Sequence, residues 1–190
     1  MTCLLLLLGT LGQPGASILK RVVGEEHDSA GAPCFAPGGA LAFKALEGGK
    51  MGVVVGDRKG PFEFDVVGHP VFSADGRRVA YAAATGAQVD AFTALSSYAD
   101  QMAQGGRWCL VVDGKRGPEF DRVDAPVFAP DGKVVACRVR RGKKSLILVG
   151  EKAGGELDDV GPPAFAPDGK RVVFGARIGR ELWWKVVPVE

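Results

Sequence analysis

The residues able to do chemistry in this sequence are few, and most of them recur at fixed spacing. Eight carboxylates form four Glu-x-Asp pairs: Glu26 with Asp28, Glu63 with Asp65, Glu119 with Asp121, and Glu156 with Asp158. Asp75, Asp131 and Asp168 make a second series. Acid–base cleavage of a glycosidic bond needs one distinctive carboxylate pair, and four equivalent pairs single out none. A ring of carboxylates could hold Ca²⁺ through oxygen ligands. A residue type present in every repeat, however, serves what every repeat shares, here turn formation and the hydration of an outer strand. Nucleophilic hydrolysis needs an activated serine with a histidine base; there is no Gly-x-Ser-x-Gly, and the only histidines are His27 and His69. His69 takes a repeat position held elsewhere by Ala32, Ala125 and Pro162, which predicts a loop residue. His27 takes one held by Phe64, Phe120 and Leu157, which predicts a half-buried ring. Of the four cysteines, Cys3, Cys34, Cys109 and Cys137, no two have zinc-ligand spacing. The last three lie in apolar runs, where thiols act as small hydrophobes. The sequence therefore points to no catalytic, cofactor-binding or metal-binding residues.

The elements that carry these residues follow from an internal repeat. Four segments align: Pro33-Cys34-Phe35-Ala36-Pro37-Gly38-Gly39, Pro70-Val71-Phe72-Ser73-Ala74-Asp75-Gly76, Pro126-Val127-Phe128-Ala129-Pro130-Asp131-Gly132 and Pro163-Ala164-Phe165-Ala166-Pro167-Asp168-Gly169. Their leading prolines are 37, 56 and 37 residues apart, so the second repeat carries 19 extra residues. The repeats run over 33–69, 70–125, 126–162 and 163–190. Each motif predicts a strand entering a tight turn, with positive φ at Gly76, Gly132 and Gly169. A second strand follows (40–46, 77–83, 133–139, 170–176) and then a third (51–55, 108–112, 145–149, 182–187). The Glu-x-Asp triplets, with both acids on one strand face, supply a fourth strand with one wet face. Four short antiparallel strands per 37 residues describe a β-propeller blade. The expected fold is all-β, with four recognisable four-stranded antiparallel blades. Phe35, Phe72, Phe128 and Phe165 are expected to pack at equivalent inner-strand positions.

Two segments depart from the repeat. Within the insertion, Val89, Phe92, Leu95, Ala99 and Met102 recur at helical spacing, which predicts a single amphipathic helix over 88–104, stopped by Gly105-Gly106. At the front, residues 1–16 contain the apolar run Leu4–Leu8, too short to span a bilayer as a helix. It reads either as a signal-peptide core lacking a preceding Lys or Arg, or as a strand of a blade whose beginning is absent. Ser17–Gly24 resembles a further third strand, so the chain reads either as four closed blades or as part of a larger propeller. Adjacent Trp183 and Trp184 must point to opposite sheet faces; one is expected to pack between blades and the other to be exposed.

Composition sets the remaining bounds. With 24 basic and 22 acidic residues the net charge is +2, and no basic stripe marks a nucleic-acid footprint. The basic run Arg138, Arg140, Arg141, Lys143 and Lys144 reads as a solvated strand end. No segment has the length of a transmembrane helix.

The pattern Pro-x-Phe-(Ser/Ala)-Pro-Asp-Gly-basic-basic-Val, seen most clearly at Pro163–Val172, resembles the TolB-like, WD-like β-propeller repeat over residues 26–190. The first copy departs from it, with Gly38 in place of Asp. The resemblance implies an interaction module, and an extracytoplasmic or periplasmic setting. The leading expectation is a non-enzymatic module binding a protein or peptide, with Phe92, Leu95, Tyr98, Met102, Trp183 and Trp184 as candidate contacts. The alternatives are an accessory propeller of a prolyl-oligopeptidase-like hydrolase, or a carbohydrate-active propeller such as a lyase. Fold resemblance does not choose among them.

Overall fold

The computed structural model describes residues 27–31, 33–96 and 99–189, with the backbone alone at Ala91 and Phe92. The apolar segment of residues 1–16 and the expected strand Ser17–Gly24 lie outside the described residues. Within them the chain forms four antiparallel sheets in sequence order. The first comprises β1 (Ser29–Ala30), β2 (Cys34–Phe35), β3 (Leu41–Glu47), β4 (Lys50–Val55) and β5 (Arg58–Lys59). The second comprises β6 (Val66–Val67), β7 (Val71–Phe72), β8 (Val79–Gln88), β9 (Gln104–Val112) and β10 (Lys115–Phe120), with two helical turns, α1 (Ala91–Ala94) and α2 (Ala99–Met102), between β8 and β9. The third comprises β11 (Arg122–Val123), β12 (Val127–Phe128), β13 (Val135–Arg141), β14 (Lys144–Val149) and β15 (Lys152–Ala153). The last comprises β16 (Asp159–Val160), β17 (Ala164–Phe165), β18 (Arg171–Ile178) and β19 (Glu181–Pro188).

The repeat explains this layout. In each sheet the first strand is broken in two, and both halves pair with the second strand. The break falls at Pro33, Pro70, Pro126 and Pro162-Pro163, where no N–H is available for the ladder. The Asp-Gly turns form as expected: Gly76, Gly132 and Gly169 have φ of 68°, 71° and 69°. Asp75, Asp131 and Asp168 each accept a hydrogen bond from the backbone N–H two residues on, at 3.1, 3.0 and 3.0 Å. Their role is the turn, as repetition implied. The Glu-x-Asp triplets at 63–65, 119–121 and 156–158 lie on the third strand of the sheet before them. Met51 N donates to Phe64 O at 2.7 Å, Ser145 N donates to Leu157 O at 3.0 Å, and Phe120 pairs with Trp108. The chain then runs directly into the first strand of the next sheet.

Alternation gives every sheet a face toward its predecessor and one toward its successor. Met51 and Val53 of the first sheet bury against Tyr81, Ala83, Cys109 and Val111 of the second. Ala82, Trp108 and Leu110 of the second bury against Val135, Cys137, Val139, Leu146 and Leu148 of the third. Ala136 and Ile147 of the third bury against Val172, Phe174 and Ala176 of the last. The core is thus three inter-sheet layers and a smaller cluster of Phe43, Ala45 and Val54 on the other face of the first sheet.

Three expectations are corrected. The insertion is not one helix over 88–104. Strands β8 and β9 continue pairing as far as Gln88 opposite Gln104, which leaves only the residues between for helical turns. Asp90 caps α1 by accepting from Thr93 N at 2.9 Å. Gly105 and Gly106 lie inside β9 rather than ending a helix. A Cβ at Gly106 would meet Ala87 N at 2.6 Å, so the pairing itself demands glycine there. The inner-strand phenylalanines also differ from one another. Phe72, Phe128 and Phe165 are half-buried, whereas Phe35 is 72% exposed. Each of the three lies between two neighbouring sheets, while no described sheet precedes the one that holds Phe35. Finally, His27 is more enclosed than a half-buried ring, stacked on Phe62 at 5.6 Å and edge-on to Phe43. His69 is exposed in a loop, as its repeat position predicted.

Candidate functional site: the open face of the last sheet

The face of the last sheet that looks away from the third is assembled by strand alternation. Val172, Phe174 and Ala176 are buried against the third sheet. Directly across from them stand Val187, Lys185 and Trp183, which share that side. The opposite side carries Val173, Gly175, Leu182, Trp184 and Val186. In the three earlier sheets the positions of Leu182, Trp184 and Val186 hold Met51, Val53 and Val55, then Trp108, Leu110 and Val112, then Ser145, Ile147 and Val149. The middle residue of each trio is buried by the next sheet. In the last sheet nothing among the described residues covers the trio: Leu182 is 85% and Trp184 80% exposed. Trp184 lies over Gly175, whose hydrogen leaves room for the indole. Beside it is a shallow cleft of about 350 Å³, rimmed by Asp159, Arg177 and both tryptophans.

Of the tryptophan pair, one was expected to pack between blades. Both are exposed, Trp183 at 50%. Trp183 does point toward the third sheet, but it stands at the end of β19 beyond the buried centre of that layer, and its indole N–H donates to Glu181 Oε2 at 3.2 Å. The insertion candidates are not gathered into a surface. Leu95 is half-buried and packs on the layer between the first and second sheets, while Met102 is 65% exposed. Tyr98 and the Phe92 side chain lie outside the described residues. The residues that do anchor the insertion are Ala99, Asp100 and Ala103, all buried, and Lys44 of β3. Lys44 Nζ donates to Val67 O at 3.2 Å and to Ser96 O at 2.5 Å. Burial pushes its pKa down and nearby Asp100 pulls it back up. A lysine standing where the other repeats have Ala82, Arg138 and Gly175 was the available sequence signal for this contact.

The Asp of each of the last three Glu-x-Asp triplets acts as a clip between sheets, which the sequence alone did not reveal, and Asp28 makes the glycine half of the same contact. The Asp Oδ2 accepts the amide of a glycine in the next sheet, at the second-to-third-strand turn for Gly48 with Asp28, Gly142 with Asp121 and Gly179 with Asp158 (2.8, 2.6 and 2.5 Å), and inside the lengthened β8 for Gly86 with Asp65 (2.6 Å). In the last three triplets its Oδ1 takes a base at the start of its own sheet's third strand. Lys50 meets Asp65 at 2.6 Å, Arg107 meets Asp121, and Lys144 meets Asp158 at 2.6 Å. The lysine and the glycine amide hold the Asp158 carboxyl below the usual carboxylate range. In the last sheet the position of Lys50, Arg107 and Lys144 is occupied by Glu181.

The basic run of the third sheet is largely the solvated strand end expected, with Arg138 the exception: it pairs with Asp124 and donates to Val160 O at 3.0 Å. Cys109 and Cys137 are buried free thiols and Cys34 is half-buried. Among the described residues no group of three or more His, Cys, Asp or Glu side chains could hold a metal ion, and no helix is long and apolar enough to cross a membrane.

No protein-family model matches this chain, and no curated protein sequence does. Its fold is similar to solved β-propeller structures. TolB from Acinetobacter baumannii matches with a TM-score of 0.43 at 15% identity, covering 85% of this chain and 41% of TolB. Hydrazine synthase of Kuenenia stuttgartiensis matches at 0.45 and 14%, covering 82% of this chain and 58% of that one. An oligogalacturonate lyase in complex with manganese matches at 0.44 and 11%, covering 85% and 49%. The chain thus spans less than two thirds of the length of each. Its described residues form an all-β arrangement of four antiparallel sheets that resembles these propellers.

Proposed function

We propose that this chain is a non-enzymatic binding module that engages a protein or peptide through the open face and edge of its last sheet. One observation carries the reading: Leu182, Trp184 and Val186 stand exposed at positions that each earlier sheet uses to dock a neighbouring sheet. A contiguous apolar surface of this kind, with an exposed tryptophan at its centre, has the composition of an interface hot spot. The edge of β19 adds backbone groups that no strand pairs among the described residues, which favour extended partners. The test is selection of peptides from a displayed library on immobilised protein. Selected peptides should lose binding to the Trp184→Ser and Leu182→Ser variants while both variants keep the wild-type circular dichroism. Failure to select any peptide, or selection indifferent to both substitutions, refutes the reading.

A further inference from the structure

From the edge of β19 we infer that the partner is a second copy of this chain, joined antiparallel along β19 about a twofold axis at Trp183. The inference rests on the last sheet being a protein-binding surface, and it names the occupant. In the three earlier sheets the outer edge of the third strand is filled by a Glu-x-Asp strand. Its middle residue, Phe64, Phe120 or Leu157, lies opposite Met51, Trp108 or Ser145. Its Asp lies opposite Lys50, Arg107 or Lys144. On β19 the corresponding slot has Leu182 where those strands have Met51, Trp108 and Ser145, and Glu181 where they have the base. An incoming strand must therefore bring an apolar or aromatic residue opposite Leu182 and a cation opposite Glu181.

β19 meets both demands itself. Laid antiparallel on its own copy with Trp183 opposite Trp183, it places Trp184 opposite Leu182 and Lys185 opposite Glu181. Trp183-Trp184-Lys185 then occupies the place of Glu-Phe-Asp with the charge inverted, and the twofold axis makes every contact twice. The backbone agrees. Val189 N donates to Lys170 O, so by alternation the N–H and C=O of Leu182, Trp184 and Val186 face away from β18. Leu182 and Trp184 are the residues that this register joins in hydrogen-bonded pairs, as Met51 and Phe64 are joined in the first sheet. An eight-residue edge with apolar side chains, to which no strand pairs among the described residues, is a template for such pairing. The triplet at residues 26–28 of the same chain does not suit the slot, because it would set Asp28 against Glu181.

Analytical ultracentrifugation of the 190-residue chain over a concentration series tests this directly. The wild type should sediment as a dimer of the 19.9 kDa chain. Glu181→Lys and Lys185→Glu each place like charges opposite one another twice, and each should raise the dimer dissociation constant at least about tenfold. Both should melt as the wild-type monomer does, since both residues lie on the sheet edge. The double variant Glu181→Lys/Lys185→Glu should restore the dimer. A wild type that is monomeric at every concentration overturns the inference. So does a dimer indifferent to both single reversals, and so do single variants that the double variant fails to rescue. A monomer that still selects peptides through Trp184 leaves the binding-face reading standing and rejects only the second copy.

Discussion

Removing the carboxylate of Asp65 tests whether the sheets are clipped together as described. Asp65 Oδ1 meets Lys50 Nζ at 2.6 Å on the first sheet, and Oδ2 meets Gly86 N at 2.6 Å on the second. The ion pair is partly solvated, with side chains 46% and 27% exposed, so its share is about 0.5 kcal/mol. The bond to Gly86 N is charge-assisted and holds β8 at a positive-φ glycine, for about 1–1.5 kcal/mol. Asp65→Ala should therefore cost about 1.5–2 kcal/mol, and Asp65→Asn about half that, since an amide oxygen still accepts from Gly86. Urea unfolding monitored by far-UV circular dichroism would measure both. A Lys50→Met/Asp65→Ala cycle should return a coupling near the ion-pair share. Burial tends to raise the Asp65 pKa, but the bonds from Lys50 and Gly86 outweigh it and the net direction is down. Its contribution is therefore present above the unfolded carboxylate pKa of about 3.9 and is lost as pH falls through the lower folded value. Asp65→Ala should accordingly flatten the acid limb of stability against pH. A loss under about 0.3 kcal/mol with an unaltered acid limb would mean that the clip contributes nothing.

Other outcomes follow from the same geometry. A Cβ at Gly76 would lie 1.9 Å from Pro37 O, whereas at Gly132 it would lie 3.1 Å from Ser73 Cβ. Gly76→Ala should therefore cost more, about 2–3 kcal/mol against about 1 for Gly132→Ala, and equal midpoints in chemical unfolding would contradict the stacking of these turns. Phe128 is half-buried beneath the Arg78 guanidinium, 5.7 Å from its ring centre, so Phe128→Ala should cost about 2 kcal/mol rather than the 3–5 of a fully buried ring. Lys44→Met leaves Ser96 O, Val67 O and Asp100 without their cation. It should cost about 2 kcal/mol and raise amide hydrogen exchange across residues 91–103 before any other segment. Burial pushes the Cys109 thiol up to about 11 and Cys137 up to about 12, so iodoacetamide at pH 8 should modify neither until the protein unfolds.

The four sheets and their turns could be read from the sequence because each repeat states them independently: Pro breaks the inner strand, Asp-Gly makes the turn, and the apolar runs pair. The insertion was misread because its spacing fits a helix, and periodicity cannot register that Gly105 and Gly106 are held by pairing with Ala87 and its neighbours. Phe35 was misplaced for a related reason. Equivalent positions in a repeat are equally buried only where a preceding sheet exists to cover them, and among the described residues none precedes that of Phe35. The Asp clips escaped because they join residues about 21 apart on different sheets, such as Asp65 and Gly86. The open face was half-visible: the tryptophan pair was evident, but its exposure depended on the absence of a covering sheet among the described residues. Glu181, which defines the edge, carried a usable signal, since it breaks the basic series Lys50, Arg107, Lys144.

The Glu-x-Asp strand that leaves one sheet and becomes the first strand of the next has a consequence for how such a chain can change in length. Because every unit hands over at the same point, cutting out residues 126–162 would join Ala125 to Pro163 and recreate a junction of the same kind as the one removed. Asp121 would then face the turn at Gly179 instead of Gly142, with the carboxylate-to-glycine geometry available at both. Duplication of the same stretch would insert a sheet between two surfaces already shaped for one. Recombination between repeats of the gene can therefore add or remove whole sheets of 37 residues without inventing a new interface, while a shorter insertion must be absorbed between two strands of one sheet, as the second repeat absorbs its own in longer strands and two helical turns.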